Sequence, residues 1–97
     1  MITELKDKVL NKKREEKFLK VIEENQDKLY RIAYSYVKNK EDALDIVQET
    51  VCKGYISYHK VKHKEFESTW ITRILINTAI DFIKKNKKMV KININDM

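Results

Sequence analysis

The chain contains no proline, and Gly54 is the one glycine among its 97 residues. A sheet protein of this size needs turn residues at many corners. Their near absence favours a few long helices with short connections. Cysteine is equally scarce: Cys52 stands alone, so no internal disulfide can form, which fits a reducing compartment. No segment approaches the ~20 consecutive apolar residues of a membrane span. The N-terminus, MITELKDKVLNKKREEK, lacks the apolar stretch of a secretory signal. A soluble cytoplasmic protein with no membrane partner is expected. There is no glycine-rich phosphate loop, so neither an enzyme nor a bound cofactor is expected.

Charge is abundant. Charged residues make up 37% of the chain and hydrophobic residues 42%, enough for one domain with a modest core and a heavily solvated surface. Lysine and arginine number 21 against 15 acidic residues, a net charge of +6. A basic excess points to a polyanion such as nucleic acid or an anionic membrane surface, although lysine-rich solvated faces are common.

The organisation is that of a single all-α domain over residues 1–97, a compact bundle of three to four helices. Residues 1–17 form a charged, helix-prone extension, and 89–97 read as a tail or the start of a linker. Leu5, Val9 and Leu10 make one apolar cluster; Phe18, Leu19 and Ile22 make another. The polar run NKKREEK between them is either a solvated helical turn or a break. Asn25 is placed to cap a second helix, whose stripe is Leu29, Ile32, Ala33, Tyr36 and Val37. Asn39 is placed to cap a third, with Glu41 and Asp42 near the positive end of its dipole, running to about Tyr58. HKVKHKEFE lacks periodicity and reads as a loop. Ser68 is placed to cap a long last helix that ends in lysines, and MVKININDM is expected to be extended or disordered.

Two helices separate into contrasting faces when drawn at ~100° per residue. On the third, Ala43, Val47, Thr50, Val51, Gly54 and Tyr58 face the core, and small Gly54 permits close helix approach. Opposite lie Asp45, Gln48, Glu49, Cys52 and Ile56. Carboxylates and an amide mixed with apolar groups fit a docking surface; the alternative is a solvated face with an incidental cysteine and isoleucine. On the last helix, Ile71, Leu75, Ala79, Phe82 and Ile83 face inward. Trp70, Arg73, Ile74, Asn77, Asp81, Lys84, Lys85 and Lys88 lie outside. Lysines bind phosphate by charge, Trp stacks on an unpaired base and Asn reads a base edge. The alternative puts Trp70 in the core and leaves the lysines as solubilising groups. Asp81 is spaced to hold Lys84 or Lys85.

His59 and His63, with Glu67 four residues on, have the spacing of a helical metal site. They alternate with Lys60, Lys62 and Lys64, whose charge opposes a cation, so no metal is expected. Asp45 with Glu49 reads as surface, with no partner base or pocket.

The order LYRIA, DALDIVQET, TW and RILINTAID followed by a lysine pair resembles region 2 of bacterial sigma factors, the extracytoplasmic-function class in particular. The resemblance runs from about Leu29 to Lys88. It implies a domain that binds core RNA polymerase and recognises the melted minus-ten promoter element in transcription initiation. Asp45, Gln48 and Glu49 would then meet the clamp helices of the largest polymerase subunit. Cys52 would join that contact, where the family often carries a larger apolar residue. Lys64 and Phe66 in the 61–67 segment, then Trp70, Arg73 and Asn77, would engage the non-template single strand. Asn77 would line the pocket for an unpaired base, and Lys84, Lys85 and Lys88 would contact the backbone. The segment lacks the glycine-containing stretch common in relatives, and Phe66 stands one place further from Trp70 than usual. An anti-sigma factor is the other implied partner, and a sigma-like module held by it without DNA binding is the competing reading. The region that recognises the upstream promoter element has no counterpart in these residues.

Overall fold

The computed structural model describes residues 2–95 and, among them, the side chains of Lys6, Val9 and residues 11–86. Helix α1 spans Ile2–Val37, α2 spans Lys40–Ser57 and α3 spans Glu67–Asn95. Between α2 and α3 lie two 3-10 turns, Tyr58–Lys60 and Lys64–Phe66. No strand occurs among the described residues, and each of the three helices packs against the other two. The all-α bundle expected from the composition is the observed class.

The first two expected helices are one. No proline or glycine interrupts residues 2–37, and the NKKREEK run is solvated helix rather than a break. Asn25 caps nothing. It lies buried inside α1, where its amide donates to Val21 O at 2.7 Å and its Oδ1 accepts from Ser68 Oγ of α3 at 2.7 Å. Ser68 in turn accepts from Lys28 Nζ at 2.7 Å. Ser68 therefore ties α3 to α1 instead of capping its own helix, which begins one residue earlier at Glu67.

Asn39 does cap α2: its backbone is extended, its Oδ1 accepts the Asp42 N–H at 3.0 Å and its carbonyl accepts the Ala43 N–H at 3.0 Å. The residue before it, Lys38, takes a positive φ of 57° while its amide returns to Tyr34 O at 2.8 Å. A left-handed residue that closes one helix and an asparagine that opens the next turn the chain in two residues.

The core consists of Phe18, Val21, Leu29 and Ala33 from α1, Ala43 and Ile46 from α2, Tyr58, and Ile71, Leu75 and Ala79 from α3. Ile46, absent from the expected core face, is wholly buried; Val47 and Val51 flank it partly buried. Phe82 and Ile83 are only partly buried. Leu19, expected in a cluster with Phe18 and Ile22, and Tyr36, expected on the Leu29 stripe, belong to the surface, and Val9 is exposed. The side chains of Leu5 and Leu10 lie outside the described residues. Gly54 permits the expected close approach: a Cβ there would stand 2.7 Å from Ile71 Cδ1 and 3.1 Å from the Phe18 ring. Two buried threonines satisfy their hydroxyls on their own helices, Thr50 to Ile46 O and Thr78 to Ile74 O. The backbone of α3 continues to Asn95, where an extended or disordered tail is expected; Asp96 and Met97 lie outside the described residues.

Candidate protein-docking and nucleic-acid surfaces

Helix α2 buries Ala43, Ile46, Thr50 and Gly54, which turns the far side of its cylinder to solvent. Asp45, Gln48, Glu49 and Cys52 are all exposed there. Glu49 is the one of the four with a charged partner among the described residues, Lys53 Nζ at 3.4 Å. Lys53 also donates to Thr78 Oγ1 of α3 at 3.2 Å, which draws Glu49 toward the α2–α3 seam. Asp45, Gln48 and Cys52 remain further round the helix.

The same surface is more apolar than the sequence reading has it. Ile56 is 73% exposed, as expected, but Leu44 and Tyr55 are exposed as well. Leu44, Gln48, Cys52 and Tyr55 follow the four-then-three spacing of a single helix face, so the signal was present in the sequence. Tyr55 is fixed by its hydroxyl, which donates to Glu15 of α1 at 2.8 Å, and this bond raises the phenol pKa. A surface that mixes exposed apolar side chains with an acid and an amide is suited to a protein partner.

The second surface starts in the connection from α2 to α3. Val61 to His63 separate the two 3-10 turns, so the expected loop is short and half structured. Lys64 and Phe66 are exposed, and the Phe66 ring stands edge-on to His63 with centroids 5.9 Å apart. His59 Nδ1 lies 3.1 Å from Ile56 O. Among the described residues no three His, Cys, Asp or Glu side chains converge.

Trp70 is held half-buried by an aromatic chain: Phe18 to Tyr58 at 5.4 Å, and Tyr58 to Trp70 at 5.8 Å. The Tyr58 hydroxyl donates to Glu67 at 3.1 Å. Burial, then this bond to a carboxylate, raises the Tyr58 pKa above its ordinary value. Trp70 therefore belongs partly to the core and presents only one side outward. Along α3 from it, Arg73, Asn77, Asp81, Lys84 and Lys85 are exposed, while Ile74 packs partly against the core instead of standing outside. Asp81 forms no ion pair with Lys84 or Lys85, contrary to its spacing, so those lysines stay free of it. Lys88 lies on α3, and its side chain is outside the described residues.

The geometry is that of an all-α domain with two dissimilar exposed faces on adjacent helices. Residues 21–89 match the Sigma-70 region 2 family, and the chain belongs to it. It is 47% identical over 68 residues to the RNA polymerase sigma factor SigV of Bacillus subtilis, covering 70% of this chain and 41% of that protein. It is 30% identical over 87 residues to the ECF RNA polymerase sigma factor SigW of the same organism, covering 90% and 46%. Against the ECF RNA polymerase sigma factor SigM, also from B. subtilis, identity is 35% over 65 residues, covering 67% and 39%. The chain thus spans less than half the length of these curated relatives. No solved structure matches it. No helix among the described residues is long and apolar enough to cross a membrane.

Proposed function

We propose that this chain acts in transcription initiation as the sigma region that docks on core RNA polymerase and engages the melted minus-ten element. What carries the reading is the segregation of two exposed faces within a Sigma-70 region 2 domain. One, on α2, is an acid, amide and apolar surface of Asp45, Gln48, Glu49 and Cys52. The other runs from Lys64 and Phe66 through Trp70, Arg73 and Asn77 to Lys84 and Lys85.

The first face has the composition of a protein contact on a chain of net charge +6. Its carboxylates suit a basic partner, the clamp helices of the largest polymerase subunit. The second face lies along one side of α3, with Trp70 and Asn77 two turns apart, ~10 Å along the axis. A flipped base held between an aromatic and an amide, with lysines on the flanking phosphates, uses each of these groups for what it does best. An anti-sigma factor would cover the same surfaces and compete with both ligands.

The test is a titration of the chain with a labelled single-stranded oligonucleotide carrying a minus-ten-like sequence, and with its scrambled counterpart, at two salt concentrations. Preferential binding of the first that weakens as salt rises supports the reading. Equal binding of both reduces the second face to basic charge and removes promoter recognition from the proposal.

A further inference from the structure

The fold brings together two basic segments that are about 45 residues apart in sequence, the NKKREEK stretch of α1 and the KVKHK stretch before α3. Between them runs a groove of about 720 Å³. Lys13, Arg14, Lys17 and Lys20 form one wall, and Lys62 and Lys64 the other. Val21, Tyr58 and Val61 make the floor. The α1 wall precedes residue 21, where the Sigma-70 region 2 match begins. Lys13, Lys17 and Lys20 fall on one stripe because they are spaced by four and three.

All six cations are exposed, and none has a carboxylate within ion-pair distance among the described residues. Two acids line the groove, Glu24 and Glu67. Glu67 is engaged by the Tyr58 hydroxyl, and Glu24 lies beyond Lys20 at one end. Six like charges facing each other across an open channel repel one another when it is empty, and a polyanion laid between them removes that repulsion. Lys64 belongs both to this wall and to the surface that continues through Phe66 to α3, so the two surfaces are continuous.

We infer that this groove is a second nucleic-acid contact, a track for the phosphodiester backbone of the strand whose bases meet α3. The inference rests on the DNA-binding reading above and extends it to residues outside the matched family region. Lys13 to Lys20 span ~10 Å of helix, and their three flexible side chains can each take one of up to three successive phosphates of an extended single strand. Flexible ammonium groups over an apolar floor fix no base, so the contact is expected to be blind to sequence.

The experiment compares the wild-type chain with Lys13→Gln/Lys17→Gln/Lys20→Gln and with Lys84→Gln/Lys85→Gln. Each is titrated with a labelled minus-ten-like oligonucleotide and its scrambled form over a salt series, with helix content checked by circular dichroism. Loss of three phosphate contacts lowers the slope of log affinity against log salt by about 2 for a single strand. The ratio of affinities at 50 and 200 mM salt then shrinks by roughly 15- to 20-fold, equally for both oligonucleotides. If the triple variant keeps the wild-type affinity and slope while the α3 variant weakens, the groove is not a track, though α3 still binds DNA. If the wild-type chain binds neither oligonucleotide, both readings fall. A triple variant that loses preference for the minus-ten-like sequence, with its slope unchanged, also overturns the backbone assignment.

Discussion

The hydroxyl of Ser68 donates to Asn25 Oδ1 across 2.7 Å, joining the first turn of α3 to the middle of α1. The Asn25 amide continues the chain to Val21 O, and Lys28 donates to the same Ser68 oxygen. Every polar atom of this small network has a partner, and no buried side-chain nitrogen or oxygen among the described residues is left without one. The network sets where α3 starts on α1, two residues before Trp70, and so it helps set the site. Asn25→Ala removes the acceptor for Ser68 and leaves a space in a nearly closed interior. Stability is expected to fall by about 1–3 kcal/mol, seen as a lower urea midpoint with an unchanged slope. A midpoint equal to wild type would mean that packing alone seats α3.

Tyr58 gives the fold a dependence on alkaline pH. Its phenol is raised above the ordinary value of 10.0, first by burial and then by the bond to Glu67. A raised pKa in the folded state means the neutral phenol is preferred there. The stabilisation is therefore complete below pH ~10 and is lost as the pH rises through the higher folded value. Tyr58→Phe keeps the ring against Phe18 and Trp70 but removes the titrating group. The expected outcome is that thermal midpoints of wild type fall more steeply above pH 10 than those of the variant. Parallel curves would show that Tyr58 ionises as freely folded as unfolded.

Most of the bundle could be read from spacing and from missing residues. The α2 cap at Asn39, the burial of Ala43, Thr50 and Gly54, and the inward line Ile71, Leu75 and Ala79 all follow from local pattern. Asn25 and Ser68 could not be read that way. Both are good helix-capping residues, and only the packing of α3 on α1 turns their side chains toward each other. Leu19 and Tyr36 show the same limit: apolar residues that extend a helical stripe on paper point past the edge of a small core. The basic groove was invisible because its two walls are separated by the whole of α2, and nothing local in either segment signals the other.

Asn77 and Lys85 are both exposed on α3, yet they are expected to behave differently. An amide offers a paired donor and acceptor to a base edge, a recognition worth ~1–3 kcal/mol against the wrong base. An ammonium offers only charge. Asn77→Ala is expected to reduce discrimination between minus-ten-like and scrambled strands by about tenfold or more while binding persists. Lys85→Ala is expected to weaken both strands alike and to lower the salt slope by about 0.7. Fluorescence anisotropy with the two oligonucleotides measures both quantities. Identical behaviour of the variants would withdraw base reading from Asn77.

The α2 face is tested by reversing its charge. Asp45 and Glu49 are exposed, so Asp45→Lys/Glu49→Lys leaves the core untouched. Glu49→Lys does set a like charge beside Lys53, whose present contact with Glu49 is a half-exposed pair at 3.4 Å. Such pairs are worth a few tenths of a kcal/mol, so the fold is expected to survive with circular dichroism unchanged. Docking should not survive, because two carboxylates that suit a basic partner become two cations that repel it. Capture of purified core RNA polymerase by the tagged variant is expected to fall to background, and oligonucleotide binding is expected to hold or to strengthen slightly with the added positive charge. Loss of both activities together would indicate damage to the bundle. Retention of polymerase at wild-type yield would move the docking surface off α2, away from the acid and amide groups that Ala43, Ile46 and Thr50, by being buried, turn toward solvent.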